Sequence, residues 1–288
     1  PGEQVWIASD EKNITAITCG LSEFSIVGIP AEEYPEIPSI TGETTIDLPH
    51  SMLKSMIRQT IFAVADTDAK PIHTGTLFEL GGGTLRLVSV DGYRLAIREE
   101  PVQANEEASF VVPGKTLNEV TKLLSDSEEE TLSLVVGRRH ILFKIGNYTV
   151  ISRLLEGEFL DYKAAIPAAS STEVLVNTRS FIESVERVSL LITDRLKSPV
   201  RCLFEDNEIK LSCSTSMGRA NDQFEAQITG GNVEIGFNNR YLLDALRNAE
   251  GDEVKVQLNG PLSPMKVLPR EGNAFLFLVL PVRLKSDS

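Results

Sequence analysis

Two apolar periods alternate along this chain of 288 residues. "TTIDLP" at 44–49 and "TEVLVN" at 172–177 alternate in the two-residue period of strands. Each leads into a stretch of helical period. In "SMLKSMIRQTIF", Met52, Met56, Ile57 and Ile61 fall on one face of a helix over 51–62, and "SFIESVERVSLL" at 180–191 repeats the pattern. Several strands follow, then second helices over about 115–124 and 240–249. Each of these precedes a strand pair interrupted by a turn, "LSLVVGRRHILFKIG" and "VKVQLNGPLSPMKVLP". Gly81–Gly83 marks a turn between "TLFEL" and "TLRLVSV". Leu85, Leu87 and Ser89 alternate up to "SVDGYRLA", whose Asp-Gly pair predicts a tight hairpin turn with Asp91 bonding its own backbone. Helices occur singly among runs of antiparallel strands, so the class is α+β and not a doubly wound sheet.

The segments resemble one another at a spacing near 128 residues. Ser51 and Arg58 align with Ser180 and Arg187, "FVVPGKTLNEVTKLL" aligns with "IGFNNRYLLDALRNA", and Tyr34 aligns with Tyr162. The opening "VWIASDEKNITAITCGLSEFSIVGIP" corresponds to the tail of a copy, Val5 matching Leu132. The expected organisation is the last part of a first domain in 1–43, a second domain with linker in 44–168, and a third in 169–288. Roughly 85 residues of the first copy are expected to be missing in front.

Composition narrows the function. The formal net charge of -13 makes the surface repel phosphate and anionic membrane, which argues against a simple groove-filling DNA binder. Contact with nucleic acid through a local basic surface stays open. Cys19, Cys202 and Cys213 are scattered, and His50, His73 and His140 lie far from them, so neither a disulfide framework nor a zinc motif is present. No signal peptide or membrane span is visible, and a reducing cytoplasm fits.

Candidate chemistry is sparse. Gly114-Lys115-Thr116 sits between a strand and a helix, as in a phosphate-binding loop, but Ser109 stands where that motif needs glycine. Pro113 and Gly114 are better read as a strand end and helix start. No nucleophile elbow or His-Glu-x-x-His helix occurs. On the first helix Lys54 and Arg58 share a face opposite the apolar stripe, with Ser55 and Gln59 beside them. Lys115 and Lys122 mark the next helix, and Arg187, Arg240 and Arg247 the later copy. A solvated polar face explains any one of these. Against that, the faces lean cationic in an anionic chain, although Glu183, Glu186 and Asp244 interrupt them.

Four stretches, "VDGYRLA" at 90–96, "GEFLDYKAAIP" at 157–167, "EIGFNNRYLLDAL" at 234–246 and "FLVLPVRL" at 277–284, lie in order on this triplicated frame. Together they resemble the bacterial sliding clamp, the beta subunit of DNA polymerase III. The resemblance implies tandem clamp domains, each with two helices on an inner face and antiparallel sheets on an outer wall. It implies a ring of two chains joined head to tail around duplex DNA, without catalysis or cofactor. The DNA polymerase III alpha subunit, the clamp loader and other proteins with clamp-binding motifs would dock by short peptides. Loose attraction to phosphates from Lys54, Arg58, Lys115, Lys122, Arg187, Arg240 and Arg247 would suit sliding.

The resemblance places a partner-peptide pocket between the second and third domains. Gly92, Tyr93, Arg94 and Leu95 would form one wall, with His73 and Val90. Leu160, Ala164 and Ala165 of the linker would form another part. Leu262, Pro264, Leu278, Leu280, Pro281, Val282 and Arg283 would complete it, with Asn238 and Tyr241 at the rim. Core strand is the competing reading of Leu95, Leu278 and Leu280. Tyr93 stands where the family often has His, Ala164 where a longer basic side chain is common, and His73 where an aliphatic residue is frequent. A shallower, less basic rim is expected around Ala164. Ring closure would join Phe24 and Ile26 to Leu190 and Leu191 of the other chain. The rival reading is an acidic enzyme using Asp91, Tyr93 and Arg94 at a domain interface.

Overall fold

The computed structural model describes residues 4–34, 40, 44–67, 70–104, 106–193 and 195–284. The Pro-Glu-Ile-Pro stretch after Tyr34 lies outside these. The chain forms two compact units, Pro1–Ser39 and Ile40–Ser288.

In the first unit, β1 (Trp6–Ser9), β2 (Ile14–Cys19) and β3 (Ser22–Val27) form an antiparallel sheet in that order. Asp10 shapes the first turn, its Oδ1 accepting from the backbone N–H of Lys12 at 2.9 Å and Ile14 at 2.8 Å. No described residue of this unit is buried, so its apolar side chains, Phe24 and Ile26 among them, remain accessible.

The second unit holds two copies of one arrangement. The first runs β4 (Thr44–Pro49), α1 (His50–Ile61), β5 (Gly75–Gly81), β6 (Thr84–Val90), β7 (Arg94–Pro101), β8 (Ala108–Pro113), α2 (Gly114–Leu123), β9 (Thr131–Val136), β10 (His140–Ile145) and β11 (Tyr148–Arg153). The second runs β12 (Thr172–Asn177), α3 (Thr178–Ser189), β13 (Val200–Glu205), β14 (Glu208–Thr215), β15 (Gly218–Glu225), β16 (Gln227–Gly230), β17 (Val233–Phe237), α4 (Asn239–Asn248), β18 (Glu253–Leu258), β19 (Met265–Pro269) and β20 (Phe275–Val279). Among the described strands of the second copy, β16 is the one without a counterpart in the first.

The sheets follow the repeat. β11-β10-β9-β4 is a four-stranded sheet, and so is β15-β14-β13-β17. The remaining halves join into one nine-stranded sheet, β16-β12-β18-β19-β20-β7-β6-β5-β8. Its joint is the antiparallel ladder between β20 and β7, from Phe275 opposite Arg98 to Val279 opposite Arg94.

Each half has its own core, built from the inward side chains of its two sheets and one stripe of each helix. On α1 the buried stripe is Leu53, Met56, Ile57 and Thr60, spaced i, i+3, i+4, i+7. The expected stripe is therefore turned slightly: Met52 and Ile61 are half-buried at its margins. Gln59, expected on the polar face, is buried, because its Nε2 donates to the Asn248 carbonyl of α4 at 3.1 Å. The helix caps match the local sequence. Asn177 and Asn238 accept from Ser180 N–H and Arg240 N–H, while α1 and α2 start directly after Pro49 and Pro113. Gly114-Lys115-Thr116 thus opens α2 at a strand end, as read. Among the described residues no helix is long and apolar enough to cross a membrane.

Candidate functional site

The β6–β7 hairpin closes on the pair Val90 and Leu95. Asp91 Oδ1 accepts from Tyr93 N–H at 2.8 Å and Arg94 N–H at 3.0 Å, so the aspartate holds its own turn. Gly92 has φ +91°, a conformation L side chains rarely adopt, with open space around it. The turn tips Tyr93 outward, 60% exposed, and stacks it on Tyr241 of α4 with ring centroids 5.6 Å apart.

Arg94 turns the other way. It is only 8% exposed, its Nε donates to Asp91 at 3.0 Å, and Nη1 pairs with Asp244 of α4. Its guanidinium carbon lies 4.7 Å from the Tyr241 ring centroid and 5.7 Å from that of Phe62. Arg94, which the resemblance puts in one wall of the pocket, ties β7 to α4 through these pairs. The same pairing engages Asp91, whose other carboxylate oxygen holds the turn.

Across the joint, Leu95 sits opposite Leu278. Both are buried with Val90, Ile97 and Tyr162 in a third apolar cluster over the joint of the nine-stranded sheet. Leu95 and Leu278 are therefore core, while Leu280 beyond the strand is 37% exposed. Leu280 is fixed by its backbone N–H, which donates to the Tyr93 carbonyl at 2.9 Å. Pro264 is half-buried just before β19, whose first residue Met265 pairs with Val279. Leu262 and Arg283 are exposed, and Pro281 is half-buried. Val282 donates its N–H to the Gly236 carbonyl at 2.8 Å; a Cβ on Gly236 would come within 2.8 Å of the Val282 carbonyl oxygen.

The linker covers the same cluster. Phe159 packs edge-on against His73 at 5.4 Å, and Tyr162 inserts its ring into the cluster. Leu160, Ala164 and Ala165 stay exposed beside it. Burial, with a contribution from Lys70, holds the His73 imidazole below its usual range, so it is neutral near pH 7. A cavity of about 610 Å³ opens next to the Tyr241 edge. It shares Arg94, Asn238, Tyr241 and Val282 with the expected pocket and adds Ile192, Lys197, Pro199 and Asp244. Ile192, Thr193 and Lys197–Pro199 were not expected at this site, since they follow α3 in a stretch without a periodic signal.

Two family models match the chain: the central domain of the DNA polymerase III beta subunit over residues 47–161, and its C-terminal domain over 163–283. The "Beta sliding clamp" of Bacillus subtilis is 35% identical over 288 residues, covering 98% of this chain and 76% of that protein. The chain belongs to the bacterial sliding clamp family. The crystal structure of the DNA polymerase sliding clamp from Bacillus subtilis superposes with a TM-score of 0.93 at 34% identity, covering 98% of this chain and 75% of that one. A Pseudomonas aeruginosa sliding clamp, solved bound to griselimycin, gives 0.90 at 28% identity, covering 97% and 76%.

In this clamp most of the expected DNA-facing cations have carboxylate partners. Lys54 pairs with Asp126 at 2.8 Å, Arg58 with Glu250 at 2.9 Å, and Lys122 with Glu119 at 2.7 Å. Arg187 reaches Asp222 at 2.7 Å, and Arg247 reaches Glu186 at 2.6 Å. Burial disfavours the Asp222 charge, but the nearby Ser184 hydroxyl and the hydrogen bond from Arg187 outweigh it and hold the carboxyl below its ordinary range. Lys115 is exposed and forms no ion pair with described residues; Arg240 is exposed. Leu190, just past α3, is 81% exposed, which removes inward packing as its explanation, and Leu191 is half-buried.

Proposed function

We propose that this sliding clamp receives partner peptides in the groove at the β7–β20 joint, and that it works as a processivity factor without catalysis of its own. The observation that carries the reading is the exposed Leu280, held beside the Tyr93–Tyr241 stack above a floor of buried Leu95 and Leu278. An apolar floor with aromatic and amide handles (Tyr241, Asn238) suits an extended peptide with a glutamine and a spaced apolar tail. The partners are duplex DNA, encircled without sequence preference, and the DNA polymerase III alpha subunit, the clamp loader and other carriers of such peptides.

The repeat supports a homodimeric ring. Within the chain, the last strand of one copy, β20, pairs with β7 of the copy before it. β3 ends the opening copy as an edge strand, and β15, the counterpart of β7, is the edge of its own sheet. The same pairing would seat β3, with Phe24 and Ile26, on β15 of a second chain, near Leu190 and Leu191.

The test is a titration of a fluorescent Gln-x-x-Leu-x-Phe peptide, expected to bind at micromolar strength. Leu280→Asp, at an exposed position, should abolish binding and leave the fold intact. Leu95→Asp cannot serve, because a carboxylate at that buried site would unfold the chain. No binding to well-folded wild-type chain would overturn the groove reading.

A further inference from the structure

The linker wall of the groove is tied down at both ends by buried polar side chains. Glu79, Arg86 and Glu99 lie side by side on β5, β6 and β7, each directly opposite the next. Arg86 Nη1 reaches Glu79 at 3.2 Å and Nε reaches Glu99 at 2.5 Å. Tyr162 descends onto this row: its hydroxyl donates to Glu79 and accepts from Arg86 Nη1 at 3.3 Å. Burial first, and the Glu79 carboxylate with it, push the phenol above its ordinary range, so the hydroxyl is a donor at neutral pH.

Five residues on from Tyr162, the Pro167 carbonyl accepts at 3.0 Å from Nζ of the buried Lys266 of β19. The first anchor belongs to one half of the nine-stranded sheet and the second to the other half. Between them lies a single helical turn, Tyr162–Ala165, continued by an Ile166 N–H to Lys163 carbonyl bond at 3.3 Å. Ala164 and Ala165 sit on this turn and reach no anchor of their own.

We propose that Tyr162 and Lys266 are positioning residues for partner-peptide binding: they fix the two ends of segment 162–167 and hold Ala164 and Ala165 at the groove edge before any peptide arrives. The proposal rests on the groove reading above. Ala164 and Ala165 are too small to fix their part of the wall by packing, and beyond Ile166, which rests on the apolar cluster, the polar ties at the two ends hold the segment. A wall already ordered in the free protein spares the peptide the entropy of ordering it.

The experiment compares wild type, Tyr162→Phe and Lys266→Met with the same fluorescent peptide, alongside melting temperature and amide hydrogen exchange at Ile166 and Leu278. Peptide affinity should fall about three- to tenfold in both variants. Exchange at Ile166 should accelerate while Leu278, in the ladder, stays protected. Lys266→Met discriminates most sharply. It replaces a buried amine with an apolar side chain of similar length, so the melting temperature should hold or rise while affinity falls. Affinities within 1.5-fold of wild type in both variants would overturn the proposal, as would affinity that only follows melting temperature. Failure of the wild-type chain to bind would overturn the groove reading itself, and this proposal with it.

Discussion

Replacing Arg94 by methionine tests how the two halves of the clamp are held. The guanidinium is 8% exposed and sits between Asp91, itself nearly buried, and Asp244. Methionine keeps most of the apolar stem and removes the charge. Asp91 would keep its two backbone donors but lose its cationic partner, and the contact with the Tyr241 face would go. Breaking a buried pair by removing one member costs about 3 kcal/mol. In a unit of this size that lowers the melting temperature by roughly 6–12 °C. Differential scanning calorimetry at pH 7 measures it, with Arg187→Met as the control. That pair is more than half exposed on the arginine side, so its loss should stay under about 1 kcal/mol. Asp91→Asn in the Arg94→Met background should restore part of the deficit, since the amide oxygen can still accept from the turn and no buried charge is left. An Arg94→Met chain melting within about 2 °C of wild type would refute the reasoning: the pair would then contribute nothing beyond the cost of burying it.

His73 predicts a pH dependence. Its pKa lies below 6.5 in the fold, through burial and then Lys70, while the unfolded chain protonates at about 6.5. The unfolded state therefore binds more protons in that window, and stability falls as pH drops from 6.5 through the folded pKa. Urea unfolding at pH 7 and pH 5 should show a steeper loss in wild type than in His73→Leu; equal slopes would sink the account. Leu190→Asp should weaken self-association in sedimentation velocity while leaving the melting temperature within about 2 °C, and an unchanged dimer would remove Leu190 from the interface. Because at least five expected DNA-facing cations are already paired, DNA binding should be weak, with Lys115→Ala reducing the log–log salt slope by up to about 0.9. Fluorescence anisotropy between 50 and 200 mM salt measures this, and an unchanged slope would show that Lys115 meets no phosphate.

Strands that alternate cleanly were readable to the residue: β4 and β12 fall on the stretches marked for them, and α2 and α4 start one residue early. The repeat carried the sheet plan, because each copy must close its core in the same way. β16 escaped because its four residues, Gln-Ile-Thr-Gly, hold no period. The orientation of α1 was slightly wrong for a tertiary reason: Gln59 is buried only because the Asn248 carbonyl, 189 residues away, accepts its amide. Long separation also hid the ion pairs, such as Arg58 with Glu250. At the groove, the sequence shows which residues gather but not which way they turn. Arg94 and Tyr93 are neighbours, and one is buried while the other is exposed. The row Glu79, Arg86, Glu99 did have a signal, since a hairpin about Gly82-Gly83 puts Glu79 across from Arg86. What no local pattern could reveal was Tyr162 arriving above it.

The ladder between β20 and β7 makes the two repeats one cooperative body. Independent domains docked through side chains can part and re-dock, each surviving alone. Here, separation would also break the backbone ladder from Phe275 to Val279 and expose the Leu95–Leu278 cluster on it, so parting costs more than undocking side chains. Residues 44–284 should therefore melt in a single calorimetric transition, with the slowest-exchanging amides running straight through the joint. A peptide laid along this seam, as proposed above, would meet a ladder of fixed register rather than a hinge between two bodies.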